Sequence, residues 1–281
     1  MAKNFEAANH DRKNVLIVDA LNLAFRWKHA GSPTAMPNGF IDTVRSLANS
    51  YECGTILIVA DGSGGSKWRK EIHPGYKRSR KLKYENQTQQ EKDDAKEFFD
   101  YYEKTLAILP MPLVRYPGVE ADDIAAFICC NREALDINSV WLITSDQDWD
   151  LLIEPDISRF STVTRKEVTI DTWEHPVPPE QYIHLKTLVG DKGDDVPGVD
   201  GIGPIRAAKL LSEYDTVFDL IDDLPLKGTA KYIQNLNAGK DQLYISYQLM
   251  DLRSYHEAAI GDQLPALKEQ LNGIFRANLI P

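Results

Sequence analysis

The residues of this sequence best placed to do chemistry are acidic, and they fall in short clusters. Asp19, Asp61 and Asp146 each follow an apolar run (VLIV, TILIV and VWLIT). The string GVEADD at 118–123 sets Glu120, Asp122 and Asp123 within four positions, just before an apolar stretch. Helix capping explains one of these three and complementarity to a helix dipole a second, but not all of them. Asp146 and Asp148 form an i,i+2 pair, which in extended chain points to one side. Asp191 and Asp194 form an i,i+3 pair on a glycine-rich turn, GDKGDD. Like charges brought this close repel unless something neutralises them. Carboxylates without clustered His or Cys suit Mg²⁺ or Mn²⁺ rather than zinc. Two such ions about 4 Å apart can activate a water and stabilise the leaving oxygen of a phosphodiester. A lone aspartate at a strand end is more often a helix N-cap; nine acids in short clusters are not explained as solvated loop residues.

The charge balance agrees. The 281 residues carry 42 acidic and 32 basic side chains, a net charge of −10, which taken alone steers a protein away from nucleic acid. Setting the nine acids aside leaves 33 acidic against 32 basic residues, so the acidity is largely that of a metal site. Residues 67–83 (KWRKEIHPGYKRSRKLK) hold eight Lys or Arg against one Glu. Trp68 and Tyr76 are interleaved there; aromatics stack on bases while cations meet phosphates. Pro74-Gly75 rules out one continuous helix, and residues 84–105 are polar and helix-favouring. Lying between two acidic strand ends, the stretch reads as a mobile element over the site.

A second signal lies in VPGVDGIGP at 196–204. Gly201 and Gly203 let backbone N–H groups approach an anion at a helix start, and Pro204 suits the first helical turn. Arg206 and Lys209 follow on that helix. With Asp191 and Asp194 just before it, the string points to a helix–hairpin–helix type turn that holds a DNA backbone without reading bases.

These residues need elements to position them. Residues 14–22, 55–59, 113–116 and 140–144 read as apolar strands, and 40–51, 122–135 and the segment before 109 as helices; 158–170 alternates like a hairpin. Strands alternating with helices imply an α/β layer with a mostly parallel sheet, whose carboxyl ends form the ligand crevice. Beyond His175-Pro-Val-Pro-Pro179 only helical patterns appear, near 180–189, 204–214, 217–222, 242–249 and 264–275. The expected division is an α/β domain over 1–176, with residues 67–105 above the site, and a helical domain over 177–281 whose turn spans about 186–215. No run reaches the roughly 18 apolar residues of a membrane span. The N-terminal residues carry no apolar signal region, and the three cysteines (Cys53, Cys129, Cys130) match no zinc spacing, so a cytoplasmic protein with reduced thiols is expected.

Assembled in order, these strings resemble the 5′-nuclease family: flap endonucleases and 5′–3′ exonucleases, including the 5′-nuclease domain of bacterial DNA polymerases. The likeness is strongest to the stand-alone bacteriophage enzymes. It rests on VDALNLAFR (18–26), the Asp61 strand end, PGYKRSR (74–80), GVEADD (118–123), TSDQDWDLL (144–152) and GDKGDDVPGVDGIGPIRAAKLL (190–211), in family order across about 190 residues. The resemblance implies a PIN-like fold with a helical arch over 67–105 and a helix–three-turn–helix. It implies a two-metal phosphodiesterase with 5′–3′ exonuclease and 5′-flap endonuclease activity on DNA ends and branches, serving replication, repair or degradation. Asp19, Asp61, Glu120, Asp122 and Asp123 match the first-metal carboxylates, with Asp123 bridging. Asp146, Asp148, Asp191 and Asp194 match the second cluster. Lys77 matches the arch lysine on the scissile phosphate. Arg80 is the second cation, with Arg78 its rival, and Arg26 matches a phosphate contact. The turn at 198–203 is expected to hold potassium on its carbonyls.

Asp195 departs from the pattern, standing where many relatives carry Asn. No sliding-clamp box with paired aromatics is evident, and a monomer is expected. Two other readings remain open at this point, a non-catalytic binder of branched DNA and a PIN-type ribonuclease. The first should have lost metal carboxylates, and the second usually lacks the helical domain. Because clustered acids repel without metal, Asp123→Asn is expected to raise the metal-free melting temperature or leave it unchanged.

Overall fold

The computed structural model describes residues 10–279. Strand β1 (Asn14–Asp19) is buried from its second residue onward, as befits a central strand covered on both faces. Its successive side chains point opposite ways. Val15 and Ile17 enter one apolar cluster, Leu16 and Val18 another. Helices α1 (Ala20–His29) and α2 (Met36–Ser50) lead to β2 (Thr55–Val59). Three helices, α3 (Lys67–Ile72), α4 (Arg78–Glu85) and α5 (Gln89–Ala107), come before the short β3 (Leu113–Val114). The break expected at Pro74-Gly75 falls between α3 and α4. A Thr88–Glu91 capping box starts α5 afresh. The nearly all-buried α6 (Ala121–Cys130) is followed by β4 (Ser139–Ile143) and the hairpin β5 (Ile157–Phe160) and β6 (Glu167–Val168).

The sheet runs β3-β2-β1-β4-β5-β6, parallel throughout except at the β5–β6 hairpin. Later strands add on opposite sides of β1, so the β1–β4 junction is the topological switch point, where α/β sheets open a crevice. Asp19 ends β1 there, in register with Val59 of β2.

The rest of the chain is mainly helical: α7 (Tyr182–Val189), then strands β7 (Gly190–Asp191) and β8 (Val196–Pro197), then α8 (Pro204–Leu211), α9 (Val217–Asp222), α10 (Lys231–Ala238), α11 (Lys240–Met250), α12 (Leu252–Ile260) and α13 (Leu264–Leu279). The antiparallel β7–β8 ribbon corrects the expectation of helices alone. It exists because two glycine backbones meet: a Cβ on Gly190 would lie 2.2 Å from Gly198 N, and one on Gly198 would lie 2.1 Å from Val189 O. The larger apolar cluster runs from Val15 beneath the sheet through α6 to Phe275 on α13. Among the described residues no helix is long and apolar enough to cross a membrane.

Candidate active site

The acids gather at the carboxyl edge of the sheet because each is fixed by its element's end. Asp19 caps α1, its Oδ1 accepting from Asn22 N–H at 3.0 Å, while Oδ2 accepts from the Thr144 hydroxyl at 2.9 Å. Thr144 follows β4 directly, and its carbonyl is held by the buried Arg159, which also forks onto Asp150. Asp61 follows β2 and accepts from Ala121 N–H at 2.8 Å, capping α6 from across the crevice. Asp146 caps the short turn after β4 through Asp148 N–H at 2.9 Å. Asp122 accepts from the Trp149 indole at 2.7 Å. Asp191 folds its own loop, accepting from Gly193 N–H at 2.7 Å and Asp194 N–H at 3.2 Å.

Cations lie among them. The Lys77 ammonium pairs with Glu120 and stands 3.4 Å from Asp194, joining two acids from opposite halves of the sequence. Arg80 pairs with Asp194 as well. Lys186, largely buried on α7, donates to Asp148 at 2.5 Å and lies 3.8 Å from Asp191. Arg69, on α3 and 3% exposed, bridges Glu120 at 2.9 Å and both oxygens of Asp123 at 2.8 and 2.7 Å. Its Nε donates to the Leu249 carbonyl near the end of α11.

These contacts divide the acids electrostatically. Burial opposes the charge on Glu120, but Lys77 and Arg69 outweigh it and hold the carboxyl at about 2. Asp19 is pushed up to about 7, first by burial and then by the charges of Asp61 and Asp146. Asp122 is raised well above the usual range by burial and by Asp146 and Glu120. Among the described residues no three of these acids stand close enough to hold one ion as they are. The donor set is nonetheless all oxygen, and two members are driven toward protonation partly by their neighbours' charge. That is the chemistry of a site fitted to a hard divalent cation.

Two of the expected site residues are engaged within the protein. Asp123 is 1% exposed, and both its oxygens accept from Arg69. Tyr76 is not available to stack on a base: it is buried, and its hydroxyl donates to Asp194 at 2.9 Å. Trp68 is likewise stacked against Tyr255. Arg78 is exposed at the start of α4. Arg26 lies exposed in the last turn of α1, over the Trp27 ring at 5.7 Å. In the turn before α8, Gly201 has φ +85°, a region that favours glycine, and Gly203 is extended, with open space where a Cβ would stand. Arg206 turns back onto the Gly201 carbonyl, 4.4 Å over the Tyr232 ring, and Lys209 is exposed. Sequence reasoning missed Arg69 and Lys186 as members of the site. Lys186 had left a trace, as the one charge in an otherwise apolar YIHLKTLV.

A carboxylate crevice at the switch point of a parallel sheet, with basic helices against it and a glycine-rich helix–turn–helix beside it, defines a phosphodiester-cleaving nuclease. Comparison with known proteins gives the family. Residues 14–175 match the family model of the 5′–3′ exonuclease N-terminal resolvase-like domain, and 177–270 that of the 5′–3′ exonuclease C-terminal SAM fold. The flap endonuclease of Escherichia phage T5 is 41% identical over 260 residues, which span 91% of this chain and 89% of that protein. The crystal structure of the phage T5 flap endonuclease in a pseudo-enzyme-product complex with DNA and metal ions superposes with a TM-score of 0.88 at 40% identity, covering 94% of this chain and 99% of that one. The phage T5 5′-exonuclease with divalent zinc bound superposes with a TM-score of 0.86 at 39% identity, covering 94% and 98%. The chain belongs to the 5′–3′ exonuclease family and is a metal-dependent DNA nuclease of the flap-endonuclease type.

Proposed function

We propose that this nuclease cuts 5′ single-stranded flaps, branches and ends of DNA as a monomer, using two Mg²⁺ or Mn²⁺ ions held by the carboxylates at the sheet edge. The observation that carries the reading is the interleaving of Lys77, Arg69 and Lys186 among acids that otherwise repel. Asp19, Asp61, Glu120 and Asp122 form one group of holders, and Asp146, Asp148, Asp191 and Asp194 the other. Bound there, the ions would activate the attacking water and neutralise charge on the leaving oxygen.

The chain's own residues do the rest. Lys77 and Arg80, at the foot of α4, meet the scissile phosphate and stabilise its developing charge; Arg78 is the alternative to Arg80. Arg26 holds a phosphate farther along α1. Residues 67–105 form the arch that a 5′ strand passes. The turn at Gly201 and Gly203, with Lys209 and Arg206, holds the duplex backbone without reading bases. Its carbonyls would hold potassium once Arg206 leaves Gly201. The division at about residue 176 separates cutting from holding.

The test is digestion of a 5′-labelled flap duplex and of single-stranded RNA, with Mg²⁺ and with chelator, and sizing of the products. Cleavage of the flap at its junction, only with metal, is expected. Cleavage that survives chelation, or that prefers RNA, overturns the reading.

A further inference from the structure

Helix α4 opens without a side-chain cap of its own. Lys77 occupies the cap position with φ +56°, and its side chain makes no bond to the first turn. The otherwise orphaned N–H of Ser79 is taken by Asp195 Oδ2 at 2.7 Å, from 116 residues away in the chain. Asp195 itself stands at φ +56°, in the turn between β7 and β8. The same turn grips the foot of the arch at further points, besides the pairing of Lys77 and Arg80 with the Asp194 carboxylate. Lys77 N–H donates to the Asp194 carbonyl at 2.9 Å, Arg80 Nε to the Gly193 carbonyl at 3.3 Å, and the Tyr76 hydroxyl to the Asp194 carboxylate at 2.9 Å. Left-handed conformations are costly for residues with a Cβ and persist where the surroundings hold them. Here two such residues lie at the two sides of one contact.

We propose that Asp195 is a positioning residue: it caps α4 from across the crevice, sets Lys77 and Arg80 over the acids, and is not a metal ligand. Its engaged oxygen already satisfies a helix N-terminus, where a negative charge is favourable. Asn at this place would keep the acceptor and lose only the charge. The role of Asp195 in turnover rests on the assignment of Lys77 and Arg80 to the phosphate; its role as a cap does not.

Asp195→Asn and Asp195→Ala separate capping from ligation. Three readouts are needed: amide hydrogen exchange over residues 78–85 in the metal-free, DNA-free protein, the single-turnover rate on a 5′ flap at saturating enzyme, and the Mg²⁺ concentration at half-maximal rate. Loss of a cap corresponds to roughly tenfold. Asp195→Ala is therefore expected to speed exchange at Ser79 and its neighbours about tenfold and to slow turnover comparably, with the Mg²⁺ midpoint unmoved. Asp195→Asn should restore most of both. If both variants raise the Mg²⁺ midpoint alike, Asp195 is a ligand and the proposal fails. Unchanged exchange in Asp195→Ala removes the cap. Faster exchange with an unchanged rate keeps the cap but overturns its part in placing Lys77 and Arg80.

Discussion

Arg69 grips both oxygens of Asp123, at 2.8 and 2.7 Å, inside the protein. The planar guanidinium matches the carboxylate fork, and its remaining reach goes to Glu120 and to the Leu249 carbonyl. This reverses the expectation that neutralising Asp123 relieves repulsion. Asp123→Asn leaves a buried guanidinium short of its main partner, a change that costs about 3 kcal/mol or more when a buried pair is broken. The metal-free melting temperature should fall by several degrees in calorimetry, and an unchanged or higher value would return Asp123 to the repelling acids.

Asp61→Asn and Asp146→Asn should behave differently. Each amide oxygen can still accept the bond now made, from Ala121 N–H and Asp148 N–H respectively. The fold should hold while metal affinity goes. Cleavage of a 5′ flap should drop by at least about 10², with DNA binding in calcium retained. Undiminished cleavage in both variants would remove these residues from the metal site.

Lys77 and Lys81 offer a contrast within one helix foot. Lys77 is largely enclosed between Glu120 and Asp194, whereas the Lys81 side chain is 80% exposed beside Glu85. Lys77→Ala should cost roughly 10²–10³ in single-turnover rate and little in binding. Lys81→Ala should weaken binding mildly and spare the saturated rate. Equal, binding-only effects would reduce the stretch to an electrostatic funnel.

The raised carboxyl of Asp19 predicts a pH dependence. Unfolded, it loses its proton near 4; folded, it keeps it until about 7. The folded state thus binds more protons between those values, and its stability falls as pH rises through them. Glu120, held at about 2, is already ionised in both states above about pH 6 and adds no slope there. The metal-free melting temperature should therefore decline from pH 6 to 8, and Mg²⁺ should raise it more at pH 8. Asp19→Asn should make the decline shallower without abolishing it, because Asp122, raised by burial and its neighbours' charge, supplies a further fall. A melting temperature that climbs over this window contradicts the assignment.

Lys209 tests the turn more cleanly than Arg206, because Arg206 also braces the Gly201 carbonyl and the Tyr232 ring. Lys209→Ala should weaken binding equally on unrelated duplexes and reduce the salt slope by about one unit. Losses that vary with sequence would mean base readout.

What the sequence disclosed, and what it hid, follows from the range of the forces involved. Strand ends were legible because Asp19, Asp61 and Asp146 each terminate a buried apolar run, a pattern written in neighbouring residues. The break at Pro74-Gly75 and the hairpin near 158–170 were legible for the same reason. The β7–β8 ribbon was not, since two-residue strands have no periodicity and this pair depends on Gly190 meeting Gly198. Arg69, Lys186 and Tyr76 looked like members of a basic run, an apolar helix and a stacking surface. Their roles depend on partners 54, 38 and 118 residues distant, which local pattern does not encode.

The apolar cluster that begins at Val15 and ends at Phe275 has an evolutionary consequence. Phe127, on α6, lies edge-on to His256 on α12, and Arg69 reaches from the first family-model region to Leu249 in the second. The junction near residue 176 is therefore a seam in the gene but not in the interior. Recombination that exchanged one half for a relative's would have to preserve the packing across that seam. Exchanging one half alone should therefore lower the melting temperature, and exchanging the contacting residues with it should restore the loss.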